Sequence, residues 1–241
     1  MPTTSRTYRD GTLRQEGSTD WAALAVAARD GDLVWIDADG DDPTALAALA
    51  DAFDLHPLAA EDTLKARQRA KLERYGDVLF CVIRPAAYDD ASETVSFGEL
   101  HVFAGHGFVI TVTHGHAPSI DVVRRGLEAR PPVLARGSGV VLHALMDRVV
   151  DDYVPVSHGI QDDIDQIEDT LFAQGGHAAP SQRMYELTRE VIAFQRALTP
   201  LAEMIDEMLA ADTDGTAPDR EYLRDVKDHV LRLTDQVDGY R

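Results

Sequence analysis

The sequence predicts an α+β protein: an amino-terminal α/β layer domain with a mixed or antiparallel sheet, followed by long coiled helices and the start of one more. Three observations predict it. Between Lys71 and His114 the apolar residues fall in short strand-like runs separated by Gly and Asp. From about Val140 onward they recur at steps of three and four, the period of a helix with one buried seam. Pro131-Pro132 and Gly137-Ser-Gly139 lie between the two patterns and mark the boundary. The expected division is 1–132 for the layer domain, 133–218 for a long helical hairpin and 219–241 for the beginning of the terminal helix.

Taken in order, Asp10-Gly11 between two short alternating runs predicts a tight hairpin. Ser18 or Thr19 is placed to cap a helix from Asp20 to about Arg29, with Gly31 just past its end, and Leu33 to Asp37 reads as a buried strand. Asp42 before Pro43 opens the next helix, whose inner face carries Leu46, Leu49 and Phe53, and a second short helix follows Pro57. Lys71 to Tyr75, Val78 to Arg84, Thr94 to Ala104 and Phe108 to His114 are strands, most economically a meander. A helix from about Val140 to Phe172 is expected to kink or divide at Pro155. After Gly175-Gly176, Pro180 and Ser181 open a helix seamed by Met184, Leu187, Val191, Phe194, Leu198, Leu201, Ile205 and Met208, and a loop from Asp212 to Pro218 leads into the last helix. There Leu223, Val226, Val230, Leu233, Val237 and Tyr240 form a heptad-like seam that needs a partner; no Pro closes it, so Arg241 is expected to lie inside a longer helix.

A formal net charge of −19 and a pI near 4.7 argue against nucleic acid, whose phosphates need a basic surface, and make cations the natural partners. Cys81 sits in an apolar run and is expected to be a small buried thiol, which suits a reducing compartment. No window approaches eighteen apolar residues and no signal peptide opens the chain.

Three acidic stretches merit a chemical reading: Glu61-Asp62 on the helix after Pro57, Asp147 with Asp151-Asp152, and Asp225-Val-Lys-Asp-His229. Taken singly, acidic pairs on helices are solvated faces. Asp225 and His229, spaced i, i+4, share a helix face and could ligate one cation; without Cys or a second close His the set favours a hard ion held by oxygens over structural zinc. His114-Gly-His116 follows a strand directly and reads as a turn. The run Gln161 to Asp169 reads as a solvated acidic face. No nucleophile elbow, phosphate-cradling Gly loop or His-Glu-x-x-His is present, so the reading is not an enzyme.

Several motifs then act together. Phe53-Asp-Leu-His-Pro-Leu-Ala-Ala-Glu-Asp62, Gln68-Arg-Ala-Lys-Leu-Glu73 with Val78-Leu-Phe80, and Phe108-Val-Ile-Thr111 resemble the amino-terminal domain of the CorA family of magnesium and cobalt channels. Leu145 to Tyr153 and Tyr222 to His229 are similar to that family's helical and stalk-helix motifs, in the same order, so the resemblance covers about Trp35 to Arg241. It implies an α/β cytoplasmic domain, long helices and a stalk helix leading to two membrane spans of a homopentamer. It further implies regulation by intracellular Mg2+ bound between protomers, which holds the pore closed. Carried over by motif, the ligands are Glu61, Asp62, Asp147, Asp225 and His229, for Mg2+ with Co2+ or Zn2+ as alternatives. In a pentamer the terminal seam is expected to face the other four copies. The family's Gly-Met-Asn signature and both spans are not in these residues, and the family's Arg-Pro-Lys reads Arg69-Ala70-Lys71 here. The competing readings are the soluble domain of a ZntB-type zinc transporter, a metal-dependent hydrolase using the same carboxylates, and a structural helical adaptor.

Overall fold

The computed structural model describes residues 3–173, 181–210 and 216–240. The Gly175-Gly176 break, Pro180, residues 212–215 of the expected loop and Arg241 lie outside the described residues.

The hairpin of β1 (Thr4–Arg9) and β2 (Thr12–Glu16) turns at Asp10 and Gly11, φ 52° and 74°, the pair of left-handed residues that a two-residue hairpin matching strand twist requires. The next helix, α1 (Trp21–Arg29), is capped by Asp20, whose carboxylate accepts from the Ala23 amide; Ser18 and Thr19 lie two residues and one residue too early. Then come β3 (Leu33–Asp39), α2 (Pro43–Ala52) capped by Asp42, and α3 (Pro57–Lys65) capped by the His56 ring. β4 (Lys71–Tyr75) and β5 (Val78–Ile83) pair as a hairpin.

The single run expected over Thr94 to Ala104 is two strands in different sheets. β7 (Thr94–Phe97) pairs with β6 (Ala86–Asp89), and β8 (Glu99–Gly105) joins the main sheet. The break falls at Gly98, where the His114 and His116 carbonyls approach so closely that no Cβ fits. β9 (Phe108–His114) completes a seven-stranded sheet in the order β2-β1-β3-β9-β8-β5-β4, with β3 and β9 parallel and every other pair antiparallel.

Both faces of the sheet are covered, and the period of two along each strand decides which residue goes where. Val34, Ile36, Phe80, Val82, Phe103 and Ile110 face α1 to α3. Leu33, Trp35, Leu79, Cys81, Val102 and Val109 share one core with the helices that follow. Those are α4 (Ile120–Glu128), α5 (Pro131–Leu134), α6 (Ser138–Ala173), α7 (Ser181–Ala210) and α8 (Arg220–Asp238). α6 runs as one helix through Pro155, which is exposed on its outer side, and α7 runs through Pro200. Cys81 is a fully buried free thiol with its pKa raised by burial.

The seam of α8 requires a correction. Leu223, Val226, Val230 and Val237 are fully buried and Leu233 is 6% exposed, all within the core built with α6 and α7 of the same chain. Tyr240, at its end, donates to the Ser157 carbonyl of α6 at 3.0 Å. The heptad spacing was a sound sign of burial, but the partner is intramolecular, so this stripe does not face other copies.

Candidate metal centre

α6 carries His143, Asp147 and Asp151 at successive i, i+4 steps, one stripe along the helix. α8 carries Tyr222, Asp225 and His229 at steps of three and four, again one stripe. Because the apolar seam of α8 is packed into the core, its flank, with Asp225 and His229, is brought beside the α6 stripe. Asp147, Asp151 and His229 each place one ligand atom within 4.8 Å of the others; Asp147 and His229 are half-buried and Asp151 is exposed. His143 lies near enough for its charge to act on Asp147, and its ring is 5.0 Å from that of Tyr222.

The electrostatics fit a group that lacks a positive partner. Burial holds the Asp147 carboxyl above its ordinary range, and the charges of Asp151 and Asp225 push the same way against His143 and His229. His143 is held below the ordinary histidine value by burial, with Arg130 and Arg136 adding to the shift and Asp147 and Asp225 opposing it. Neighbouring carboxylates find bases: Asp152 pairs with Arg148 at 2.7 Å and Asp206 with Lys227 at 2.5 Å. Among the described residues Asp147, Asp151 and Asp225 form no ion pair. Two or three acids converging with an imidazole, and no base between them, can bind a divalent cation through oxygen ligands plus one nitrogen.

The expected site residues are thus only partly united within one chain. Asp147 and His229 converge, and Asp225 is near enough for its charge to act on Asp147. Glu61 and Asp62 are on α3, in the layer across the sheet. Glu61 pairs with Lys65, and Asp62 accepts from Lys71 at 2.6 Å, while Lys71 also reaches Glu73 at 2.9 Å. The sequence reading named Asp151 without giving it a ligand role and missed His143; the i, i+4, i+8 stripe on α6 was the available signal. His114 ends β9 with Gly115 turning after it at φ 69°, and its ring lies 5.1 Å from His101. Among the described residues those two imidazoles gather no third ligand.

The model of the CorA-like Mg2+ transporter protein family matches residues 30–241. The chain belongs to the CorA-like family. CorA-like relatives include YfjQ of Bacillus subtilis (strain 168), named as a metal ion transporter, 30% identical over 208 residues that make up 86% of this chain and 64% of YfjQ. The cobalt/magnesium transport protein CorA of Thermotoga maritima is 25% identical over 194 residues, 78% of this chain and 54% of that protein. The chain therefore spans less than two thirds of the length of either relative. The soluble domain of CorA from Methanocaldococcus jannaschii has the same fold, with a TM-score of 0.77 over 99% of this chain and 92% of that one at 16% identity. The ZntB cytoplasmic domain from Vibrio parahaemolyticus RIMD 2210633 is more distant, with a TM-score of 0.62 over 86% and 82% at 13% identity. Among the described residues no helix is long and apolar enough to cross a membrane.

Proposed function

We propose that this chain is the cytoplasmic, divalent-cation-sensing part of a CorA-like magnesium or cobalt channel, and that a bound cation favours the closed state. The observation that supports this most is the α6–α8 cluster, whose acids have no basic partner and whose burial raises the pKa of Asp147. Unoccupied, such a cluster repels itself; occupied, it is stabilised by mass action, so the conformation that assembles it is favoured in proportion to cation concentration. Mg2+ keeps several waters, which suits an open-sided cluster with exposed Asp151 and a modest affinity near the millimolar range.

In the assembled homopentamer the proposed bridge is between Asp62 of one protomer and Asp225 of its neighbour, with Glu61, Asp147 and His229 around the ion. Asp62 would then exchange Lys71 for the cation, a competition that lowers the apparent affinity because the lysine holds the carboxylate when the ion leaves. The membrane enters only through spans beyond these residues, on whose cytoplasmic side the domain sits. A ZntB-type zinc function is the second reading, favoured by the two imidazoles His143 and His229 beside the carboxylates.

The test is titration calorimetry with Mg2+, Co2+ and Zn2+ on the wild type and on Asp225→Ala. The proposal expects Mg2+ binding that the substitution weakens at least about tenfold, one unit of roughly 1.4 kcal/mol. Micromolar Zn2+ binding with no Mg2+ response favours the second reading. Mg2+ binding unchanged in the variant rules the site out.

A further inference from the structure

We infer that a cleft between α7 and the α3–β4 loop binds a small molecule carrying a diphosphate group. The cleft has a volume of about 760 Å3 and is lined by Arg69, Arg84 and Arg196 together with Ile192, Thr199 and Pro200; no acidic side chain lines it. In a chain with 42 acidic residues against 23 basic ones, three guanidiniums around one cavity without a carboxylate is an arrangement opposite to the surrounding surface. Among the described residues Arg69, Arg84 and Arg196 form no ion pair, so no carboxylate of this chain already occupies their guanidiniums.

Arg84 is the least exposed of the three. Its Nε is buried without a hydrogen-bond partner, so contact with a ligand in the open cleft falls to the terminal nitrogens of the guanidinium. Its guanidinium carbon lies 5.8 Å from the centre of the Phe97 ring, and its backbone carbonyl is fixed by the buried Tyr153 hydroxyl at 2.6 Å. These contacts fix the backbone at Arg84 and place its guanidinium beside the Phe97 ring. Arg84 is near enough to Glu99 to help lower that carboxyl's pKa, but Glu99 is engaged by His101 at 3.0 Å and by the Gln68 amide at 3.1 Å.

The ligand class follows from the donors. Planar guanidinium forks match phosphate oxygens in pairs, and three of them suit two linked phosphates better than one monoanion. The overall charge of −19 opposes any anion at long range. That field is screened beyond about 8 Å at physiological salt, so only the local arginines can hold the ligand, and a singly charged ion gains too little from them. Ile192 and Pro200 offer an apolar wall, and Thr199 a hydroxyl, for the part attached to the diphosphate, as in a nucleoside diphosphate.

The cleft uses none of the proposed cation ligands, so its test is run without divalent ions. Calorimetry in EDTA at physiological ionic strength would compare inorganic pyrophosphate, ADP, adenosine and sulfate. The inference expects one saturable site for pyrophosphate and for ADP, with adenosine and sulfate at least tenfold weaker. Arg69 and Arg196 are exposed, so R69E and R196E should fold as the wild type does. Each should weaken pyrophosphate at least about tenfold, the range for a lost charged hydrogen bond. Arg84→Gln should do the same, and its melting curve would report any loss of folding. No saturation by pyrophosphate below roughly 1 mM, sulfate binding as tightly as pyrophosphate, or undiminished binding in both R69E and R196E overturns it.

Discussion

Asp147→Asn probes the cluster most sharply, because it deletes one charge and keeps the side chain's shape. The Asp147 and Asp151 ligand atoms are within 4.8 Å of each other. At that separation two carboxylates repel by about 1 kcal/mol in water and about 3.5 kcal/mol at an effective dielectric near 20. Exposed Asp151 puts the pair near the lower figure, about 1 kcal/mol. For a domain of this size that is roughly 2–4 °C in Tm, so without metal the variant should melt higher than the wild type by about that much. With Mg2+ at ten times its Kd, the wild type should gain about 1.4 kcal/mol, or roughly 3–6 °C. The variant should keep little of that gain. Differential scanning calorimetry with EDTA and with Mg2+ measures both numbers. A variant that melts lower without metal and keeps the full Mg2+ shift refutes the reasoning on both counts.

Leu223→Ala, a fully buried seam position on α8, should lose about 2–5 kcal/mol as an internal cavity, and the loss should not depend on protein concentration; dilution-dependent melting would return the seam to an interface between copies. Gly159→Ala places a Cβ inside contact distance of the Tyr88 ring, which is held by its hydrogen bond to Asp163 at 2.8 Å, so overpacking should outweigh the gain in helix propensity and lower stability by roughly 1–3 kcal/mol in a urea titration. His143 and His114 have folded-state pKa values lowered by burial, so each contributes stability that is present above the unfolded value of about 6.5 and is lost as pH falls from there through the folded value. Asp147, with a raised folded pKa, acts the other way: it favours the fold while protonated and ceases to as pH rises through its folded value. Urea melts in EDTA should therefore show stability falling from pH 7 to pH 5.5, and a flat profile there would contradict the histidine burial.

The layer domain was legible because its signals are local. Asp10-Gly11, Asp42-Pro43 and the strand at Phe108 to His114 each depend on residues within one element, and each appears where the pattern put it. α4 was missed because its inward face contains Arg124 beside Ile120, Val123 and Leu127. A charged residue reads as surface until the structure shows its guanidinium stacked 4.8 Å from Trp35. β6 was missed because a four-residue strand after Pro85 has no room for a period to develop. The α8 seam was recognised, but heptad spacing carries no information about whether the partner belongs to the same chain. The candidate site was half visible for the same reason: i, i+4 spacing gives a stripe on each helix, while which stripes meet is a tertiary fact. Asp147 and His229 meet; Asp62, across the sheet, does not join them within one chain.

The central claim is that the α6–α8 cluster binds a divalent cation, and diffraction at the cobalt absorption edge from crystals grown with Co2+ tests it most directly. The account predicts an anomalous peak in coordination range of the Asp147 carboxylate, with His229 and Asp151 or Asp225 around it, that disappears in Asp147→Asn crystals. Anomalous density confined to other parts of the molecule, with that cluster empty at saturating Co2+, would contradict it.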